Sequence, residues 1–96
     1  MQPLWMLKSG RFAGWCADDG QLYGADGKHF GYIVDKIAYL NDGRAIGEIY
    51  GERYIGKREE VAHRTGSRHA ECEGIAMARE VDRAGLPIAG WTDAEF

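Results

Sequence analysis

The sequence predicts a mainly β domain: four β-hairpin repeats in a pseudo-fourfold arrangement, followed by one C-terminal α-helix. Three observations lead to this fold class. An aromatic residue, a turn glycine and a second very small residue recur through the first two-thirds of the chain. Short runs of aromatic and β-branched residues flank each turn, as they do in β-hairpins. Near residue 65 this pattern stops, and helix-forming residues with capping signals follow.

The repeat is defined by three columns of residues. The aromatic column is Trp5, Tyr23, Tyr39 and Tyr54. The turn column is Gly10, Gly27, Gly43 and Arg58. The small column, four residues further on, is Gly14, Gly31, Gly47 and Ala62. Because glycine inside a strand marks a close backbone approach, we expect the small column to lie where four strands converge at the axis.

Turn chemistry supports the assignment of one hairpin to each repeat. Asp26-Gly27 and Asn41-Asp42-Gly43 offer residues that tolerate positive φ, as tight hairpin turns require. The fourth unit, over residues 53–63, departs from the pattern at Arg58 and Ala62. Terminal repeats are often atypical, so we still expect a fourth hairpin there.

The aromatic, glycine–basic and glycine–aromatic steps resemble the 4-fold beta flower, a family of small bacterial domains. The resemblance covers residues 4–65 and implies four hairpins around a pseudo-fourfold axis in one chain. It implies a fold and no catalytic residues, because the family has no settled biochemical activity.

The last third, residues 67–96, is predicted to be a helix and a tail within the same single domain, 1–96. The helix spans residues 69–84, with Ser67 as its N-cap, Gly85 at its C′ position and Pro87 just beyond. The apolar residues 86–91 are expected to fold back onto the hairpins. The last four residues, 93–96, are expected to fray.

Composition excludes several classes of protein. The net charge is −3 without a basic block, which argues against nucleic-acid binding. No apolar run approaches the ~20 residues that span a bilayer, so no membrane partner is expected. Two cysteines are too few for a disulfide framework and no signal peptide is visible, so the sequence predicts a cytoplasmic bacterial protein with reduced thiols.

Two sets of residues are candidates for binding. Arg11, Lys28 and Arg44 each follow a turn glycine, and a ring of such charges would attract an anionic ligand. Solvated residues beside exposed turns are the alternative. Trp15, Tyr32 and Trp91 are candidate interface residues, because Tyr and Trp are enriched in interface hot spots, although they also pack within sheets.

Enzymatic chemistry has weaker signals. His63, His69 and Cys72 lie close in sequence, but their spacing matches no zinc motif and leaves open whether they cluster in space. Neither Cys16 nor Cys72 lies in a nucleophile motif. We therefore expect no cofactor and no metal. The favoured function is a non-enzymatic interaction or assembly module that self-associates or binds a protein partner. A binder of an anionic ligand comes second, and a small hydrolase-type or metal enzyme third.

Overall fold

A computed structural model describes residues 1–96 and contains eight β-strands and no helix. The strands are β1 (Gln2–Met6), β2 (Phe12–Cys16), β3 (Gln21–Gly24), β4 (His29–Val34), β5 (Ile37–Leu40), β6 (Ala45–Tyr50), β7 (Tyr54–Arg58) and β8 (Trp91–Asp93). Each strand pairs antiparallel with the next along the chain. The mainly β prediction is therefore confirmed, and the predicted helix is wrong.

A parallel pairing between β1 and β7 closes the first seven strands into a barrel. Trp5 lies opposite Tyr54, and Met6 lies opposite Ile55. The second half of β7, from Gly56 to Arg58, pairs instead with β8. One edge of β7 is thus shared between the first strand of the chain and the last.

The interior of this flat molecule, 36 × 32 × 18 Å, is filled by small aliphatic side chains. The main core cluster consists of Leu4, Ala13, Leu22, Ala38, Ile46, Ile55 and Ala94. A second cluster is aromatic and consists of Trp5, Phe12, Trp15 and Tyr23. Apolar burial of this kind is the main stabilising term in so small a domain.

Three hairpins, β1–β2, β3–β4 and β5–β6, share one irregularity. In each, the pairing register shifts by one residue at the aromatic position, which leaves one extra residue on the second strand. The extra residues are Ala13, Phe30 and Ile46. A β-bulge re-aims its residue, and here it directs an apolar side chain to the core. The sequence repeat is therefore a structural repeat in these three hairpins.

The small column is explained by the neighbouring strand and not by convergence of the equivalent residues on one another. Gly14 and Gly31 are buried, and a Cβ at either would collide with the backbone carbonyl oxygen of Tyr23 or Tyr39. Gly47 makes the same close approach to the carbonyl oxygen of Gly56. The prediction of a close backbone approach is thus correct for three members, but its cause is different.

Ala62 does not belong to this column, and the predicted fourth hairpin over 53–63 is wrong. Ala62 is exposed and lies outside every strand. The strand that pairs with β7 is β8, where Gly56 lies opposite Asp93. Ala94, which follows directly, is only 2% exposed and packs in the main core. The end of the chain is therefore part of the sheet and does not fray.

Residues 61–90, which we call the strap, connect β7 to β8 as an extended segment without regular secondary structure. The helix predicted over residues 69–84 does not form. Met77 and Val81, which would lie on its apolar side, are 42% and 81% exposed. Isolated helices of this length are marginal in water unless an apolar face is buried. Backbone N–H groups of the strap, among them those of Gly66, Ile75 and Arg83, donate to the barrel instead. The chain has no helix with the length and hydrophobicity needed to cross a membrane.

Candidate functional site

The strap crosses the three hairpin turns that contain Gly10, Gly27 and Gly43, which we call the turn rim. It does so in reverse order and makes the same bond at each. The backbone N–H of Gly66 donates to the Gly43 carbonyl at 2.7 Å, and that of Ile75 donates to the Gly27 carbonyl at 2.9 Å. The N–H of Arg83 donates to the Gly10 carbonyl at 2.7 Å. The three donors are nine and eight residues apart, so the strap matches the spacing of the turns.

The turn glycines are required for two reasons. All three have positive φ, at 74°, 85° and 94° in chain order, which favours glycine. All three are also buried beneath the strap. A Cβ at any of them would collide with a strap carbonyl oxygen, that of Arg83, Ile75 or Gly66. The sequence pattern predicts the positive φ of these glycines, and the structure adds the close approach of the strap carbonyl oxygens.

The strap has its own glycines where it approaches the barrel most closely. A Cβ at Gly66 would lie 2.5 Å from the Tyr32 hydroxyl, and one at Gly74 would lie 2.8 Å from the Gly27 carbonyl oxygen. A Cβ at Gly85 would collide with the carbonyl oxygen of Lys8. These glycines are the sequence signal for an extended segment over the turns.

Aromatic side chains of the barrel donate to the carbonyl groups of the strap. The Trp5 indole Nε1–H donates to the Val81 carbonyl at 2.8 Å, and the Tyr54 hydroxyl donates to Ala84 at 3.3 Å. The Tyr32 hydroxyl donates to the Ser67 carbonyl. The turn rim therefore offers main-chain acceptors and aromatic donors together, which suits the backbone of an extended peptide.

Stacking adds to these bonds at two places. The ring of His69 on the strap stacks on Tyr32 with centroids 3.6 Å apart, and Tyr32 in turn stacks on Tyr39. The Arg83 guanidinium lies 4.3 Å from the centre of the Trp5 ring, within cation–π range. Burial raises the pKa of the Tyr32 hydroxyl, which therefore stays protonated and able to donate. Tyr32, a predicted interface residue, does lie at the strap–barrel contact.

His29 is a polar residue at this contact that sequence reasoning did not select. It is 2% exposed, and its Nδ1 accepts a hydrogen bond from the Cys72 backbone N–H at 2.8 Å. Asn41 Nδ2 lies 3.3 Å from the same nitrogen, and Gln21 Oε1 lies 2.7 Å from Nε2. Because a backbone N–H can only donate, Nδ1 must be unprotonated and Nε2 carries the proton. His29 Nδ1 is thus the side-chain acceptor that the barrel offers to the Cys72 N–H of the strap.

Two carboxylates complete the attachment. Asp82 on the strap accepts the Phe12 backbone N–H at 2.8 Å, and Asp93 accepts that of Lys8 at 2.7 Å. The bond from Phe12, with Arg79 next in importance, lowers the pKa of the Asp82 carboxyl. The Asp82 carboxylate therefore binds the first hairpin in its charged form near neutral pH.

A cavity of about 450 Å³ opens where the strap leaves β7. Glu48 on β6 lines it and accepts hydrogen bonds from both Arg58 and His63. Burial alone would raise the pKa of the Glu48 carboxyl, but the bonds from Arg58 and His63 outweigh it and hold this pKa below its ordinary value. The Arg58–Glu48 ion pair and the hydrogen bond between Glu48 and His63 thus form a cluster that anchors the start of the strap.

The predicted basic residues do not share one site. Arg11, Lys28 and Arg44 are all exposed and line three different cavities, of about 190, 550 and 530 Å³. Arg44 is paired with the carboxylate of Asp42 at 2.9 Å. No common anion cradle is formed by these residues.

The other two predicted interface residues pack within the chain. Trp15 is 6% exposed and lies edge-on to Phe12, with ring centres 5.4 Å apart. Trp91 is half-buried on β8, where Tyr50 lies edge-on to it. Tyr32 is therefore the member of the predicted set that touches the strap across the rim.

The histidines and cysteines do not form a reactive or metal-binding cluster. His63 contacts Glu48, His69 contacts Tyr32, and the Cys72 backbone contacts His29. No group of three or more His, Cys, Asp or Glu side chains could hold a metal ion. Both cysteines are unpaired; Cys72 is exposed, and burial, with Asp19 next, raises the pKa of the half-buried Cys16 thiol.

Known proteins do not name a ligand for the turn rim. No family model, curated protein or solved structure matches this chain. The occupant that the structure itself places on the rim is the strap, an extended polypeptide held mainly through its backbone.

Proposed function

We propose that this chain is a non-enzymatic interaction module whose turn rim binds an extended polypeptide. One observation carries the proposal: three equivalent turn carbonyls accept three regularly spaced backbone N–H groups from the strap. Bonds to the backbone supply affinity for any extended segment, while side-chain contacts select among segments. On this rim the selecting groups are Trp5, Tyr32 and the turn glycines.

The strap is the internal occupant of this surface. Because both of its ends are attached to the barrel, its effective concentration at the rim is high, on the order of millimolar for a short tether. A polypeptide supplied by a partner must compete with it. Weakening the strap by a substitution at one crossing should therefore increase binding of an external segment.

A labelled peptide tests the proposal directly. A fluorescent synthetic peptide of residues 64–86 is titrated against the full chain and against its Gly85→Val variant, and anisotropy is measured. Valine at position 85 collides with the Lys8 carbonyl and loosens the internal strap without touching the rim residues that bind the first half of the peptide. We expect saturable binding that is at least about tenfold tighter to the variant, since 1.4 kcal/mol corresponds to that factor.

The control is the same peptide with valine at 66, 74 and 85. This peptide has the same length and charge but cannot approach the turns, so it should not bind. Equal binding of both peptides, or none to a variant whose circular dichroism remains native, would contradict the proposal.

We also propose that the chain is a divergent member of the 4-fold beta flower family and that it resides in the cytoplasm. Four antiparallel pairs, β1–β2, β3–β4, β5–β6 and β7–β8, support the pseudo-fourfold arrangement. The unpaired Cys16 and Cys72 support a reducing compartment. A crystal structure of a family member that lacks this pairing order would contradict the first proposal, and a disulfide in the native protein would contradict the second.

A further inference from the structure

We infer that the partner of the turn rim is a second copy of this chain, which exchanges its strap and β8 with the first. The inference rests on the proposed function, because it uses the same rim and names its occupant. In the exchanged dimer, each barrel of strands β1–β7 is covered by the strap of the other copy and completed by the other copy's β8.

Complementarity is the first argument. The strap–barrel contacts described above join residues 61–94 to residues 1–58, and none of them depends on the two segments being in one chain. A second copy offers the same donors at Gly66, Ile75 and Arg83 with the same spacing. Exchange therefore preserves each bond, which is why swapping identical elements is a low-cost route to dimers.

The need for β8 is the second argument. β7 binds β8 through Gly56–Arg58, and Ala94 fills the main core at 2% exposure. A strap that left its barrel without a replacement would open this core. A copy whose strap is displaced is thus incomplete until another β8 takes its place, so opening and association are linked.

The link between β7 and the strap is the third argument. Residues 59 and 60 are both glutamates, are exposed, and form a turn. The bond across this turn, from the Val61 N–H to the Arg58 carbonyl, is 3.4 Å long and therefore weak. The Glu59 N–H also donates to the Gly90 carbonyl at 2.8 Å, and in the exchanged dimer the other copy's Gly90 would accept this bond. Straightening the turn itself therefore breaks only the long bond from Val61 and separates two adjacent like charges. Glu59 and Glu60 are accordingly the hinge of the exchange.

An outward apolar surface favours the dimer over the monomer. Met77 and Val81 on the strap are 42% and 81% exposed although the Val81 carbonyl is bonded to Trp5. Covering these two side chains in an exchanged dimer would add an apolar contact that the monomer lacks.

A disulfide trap across β7 and β8 tests the exchange. Lys57 and Thr92 lie directly opposite each other and are both exposed. In a full chain carrying Cys16→Ala and Cys72→Ser, the pair Lys57→Cys and Thr92→Cys is oxidised, and the product is run on a denaturing gel without reductant. A closed monomer gives a bond within one chain, whereas an exchanged dimer gives two chains linked covalently.

We expect a covalent dimer whose share rises with the concentration at which the protein is refolded. Each single-cysteine variant is the control for random collisions and should give far less dimer. Deleting Glu59 and Glu60 should raise the dimer share severalfold, because a shortened hinge cannot close within one chain.

The outcomes separate the two proposals. Only monomer with an internal disulfide at every concentration, and after the hinge deletion, would overturn the exchange. If the peptide of residues 64–86 still binds in that case, the rim remains a peptide-binding surface whose partner is a different protein. If neither the trap nor the peptide gives a positive result, both proposals are wrong.

Discussion

At the scale of single residues, His29 is the buried polar side chain that joins the barrel to the strap. Its ring satisfies the Cys72 backbone N–H from the strap, Asn41 from a turn and Gln21 from β3. No local motif marks such a residue in the sequence, because its three partners are distant from it along the chain. In the sequence, His29 is recognisable only as the first residue of a predicted strand.

Replacing His29 by leucine keeps a side chain of similar volume and removes both ring nitrogens. We expect a loss of about 1–3 kcal/mol in the free energy of unfolding, because the donors of Cys72 and Asn41 lose the acceptor that the buried His29 ring offers them. Urea unfolding measures the loss, and amide exchange at Cys72 should be faster in the variant by a larger factor than at Ala38 in the core. Equal acceleration at both amides would mean that His29 supports the barrel as a whole and does not specifically hold the strap.

The Glu48 cluster makes stability depend on pH with a definite sign. The bonds from Arg58 and His63 hold the pKa of the folded Glu48 carboxyl below its ordinary value, so the carboxylate stabilises the fold above the unfolded pKa. That contribution is lost as pH falls through the folded pKa. We therefore expect the free energy of unfolding to fall between about pH 5 and pH 3, by less in Glu48→Gln than in the unaltered chain. Parallel curves for the two proteins would show that Glu48 contributes nothing to the acid sensitivity.

At the scale of elements, the strap is where the sequence prediction and the structure differ most. Ser67, Gly85 and Pro87 form a reasonable set of helix boundaries, but capping signals contribute only about 1 kcal/mol each and do not decide between a helix and a docked extended segment. The strap conformation is favoured because the backbone N–H donors along the strap have the same spacing as the carbonyl acceptors on the turn rim. That match depends on the assembled barrel and cannot be read from residues 61–90 alone.

Gly74 distinguishes the two forms of this segment. In a helix, Gly74→Ala would stabilise the chain by about 1 kcal/mol, because alanine is the best helix former and glycine one of the worst. In the strap, the added Cβ lies 2.8 Å from the Gly27 carbonyl oxygen, so we expect destabilisation of about 1 kcal/mol. Thermal unfolding followed by circular dichroism measures the sign.

Ala78→Gly is the matched control, since Ala78 is exposed on the strap and no described contact depends on it. In a helix this substitution would cost about 1 kcal/mol, whereas in the strap it should change little. If Gly74→Ala stabilises the protein and Ala78→Gly destabilises it, the segment is a helix, and the strap conformation described above is wrong.

The hairpins show what local sequence can and cannot specify. In β1–β2, β3–β4 and β5–β6, both strands and their turn lie within about 15 residues, so turn chemistry and the repeat predict the pairing. The fourth pair is different, because β8 returns only after the strap. The repeat pattern covers only neighbouring residues and therefore predicts the partner strand of β7 at Val61 and Ala62. The actual partner, β8, begins 30 residues after Val61. Tyr54, the aromatic residue of this unit, pairs with Trp5 of β1 and Tyr50 of β6 and not with β8, so an aromatic residue alone did not identify the fourth pair.

At the scale of the whole molecule, the candidate site was only partly visible in the sequence. Tyr32 is predicted at an interface because aromatic residues are common there, and it does contact the strap through its hydroxyl. The same reasoning predicts Trp15 at an interface, but Trp15 is buried in the second core cluster. Burial and contact depend on how the barrel closes, which composition and spacing do not determine. The three turn carbonyls can be recognised as equivalent acceptors only because the structure shows the strap bound to them.

Closure of the molecule depends on its last strand, and Ala94 tests this dependence. Ala94→Asp places a carboxylate among Leu4, Ile46 and Ile55, where an unpaired charge is costly. We expect a loss of more than about 3 kcal/mol, a large share of the 5–15 kcal/mol that holds a domain together. Cooperative loss of near-ultraviolet circular dichroism at a lower temperature would report it.

Thr92→Asp is the control on the same strand, because Thr92 is exposed and its hydroxyl makes only a long bond to Lys57. It adds the same charge two residues away without entering the core. If Ala94→Asp unfolds the protein while Thr92→Asp does not, β8 is an integral part of the barrel. A strap that leaves its barrel then also removes β8 and opens the core. If both variants melt like the unaltered chain, β8 lies on the surface as a detachable end, and the fourth pair would then have no role in holding the barrel closed.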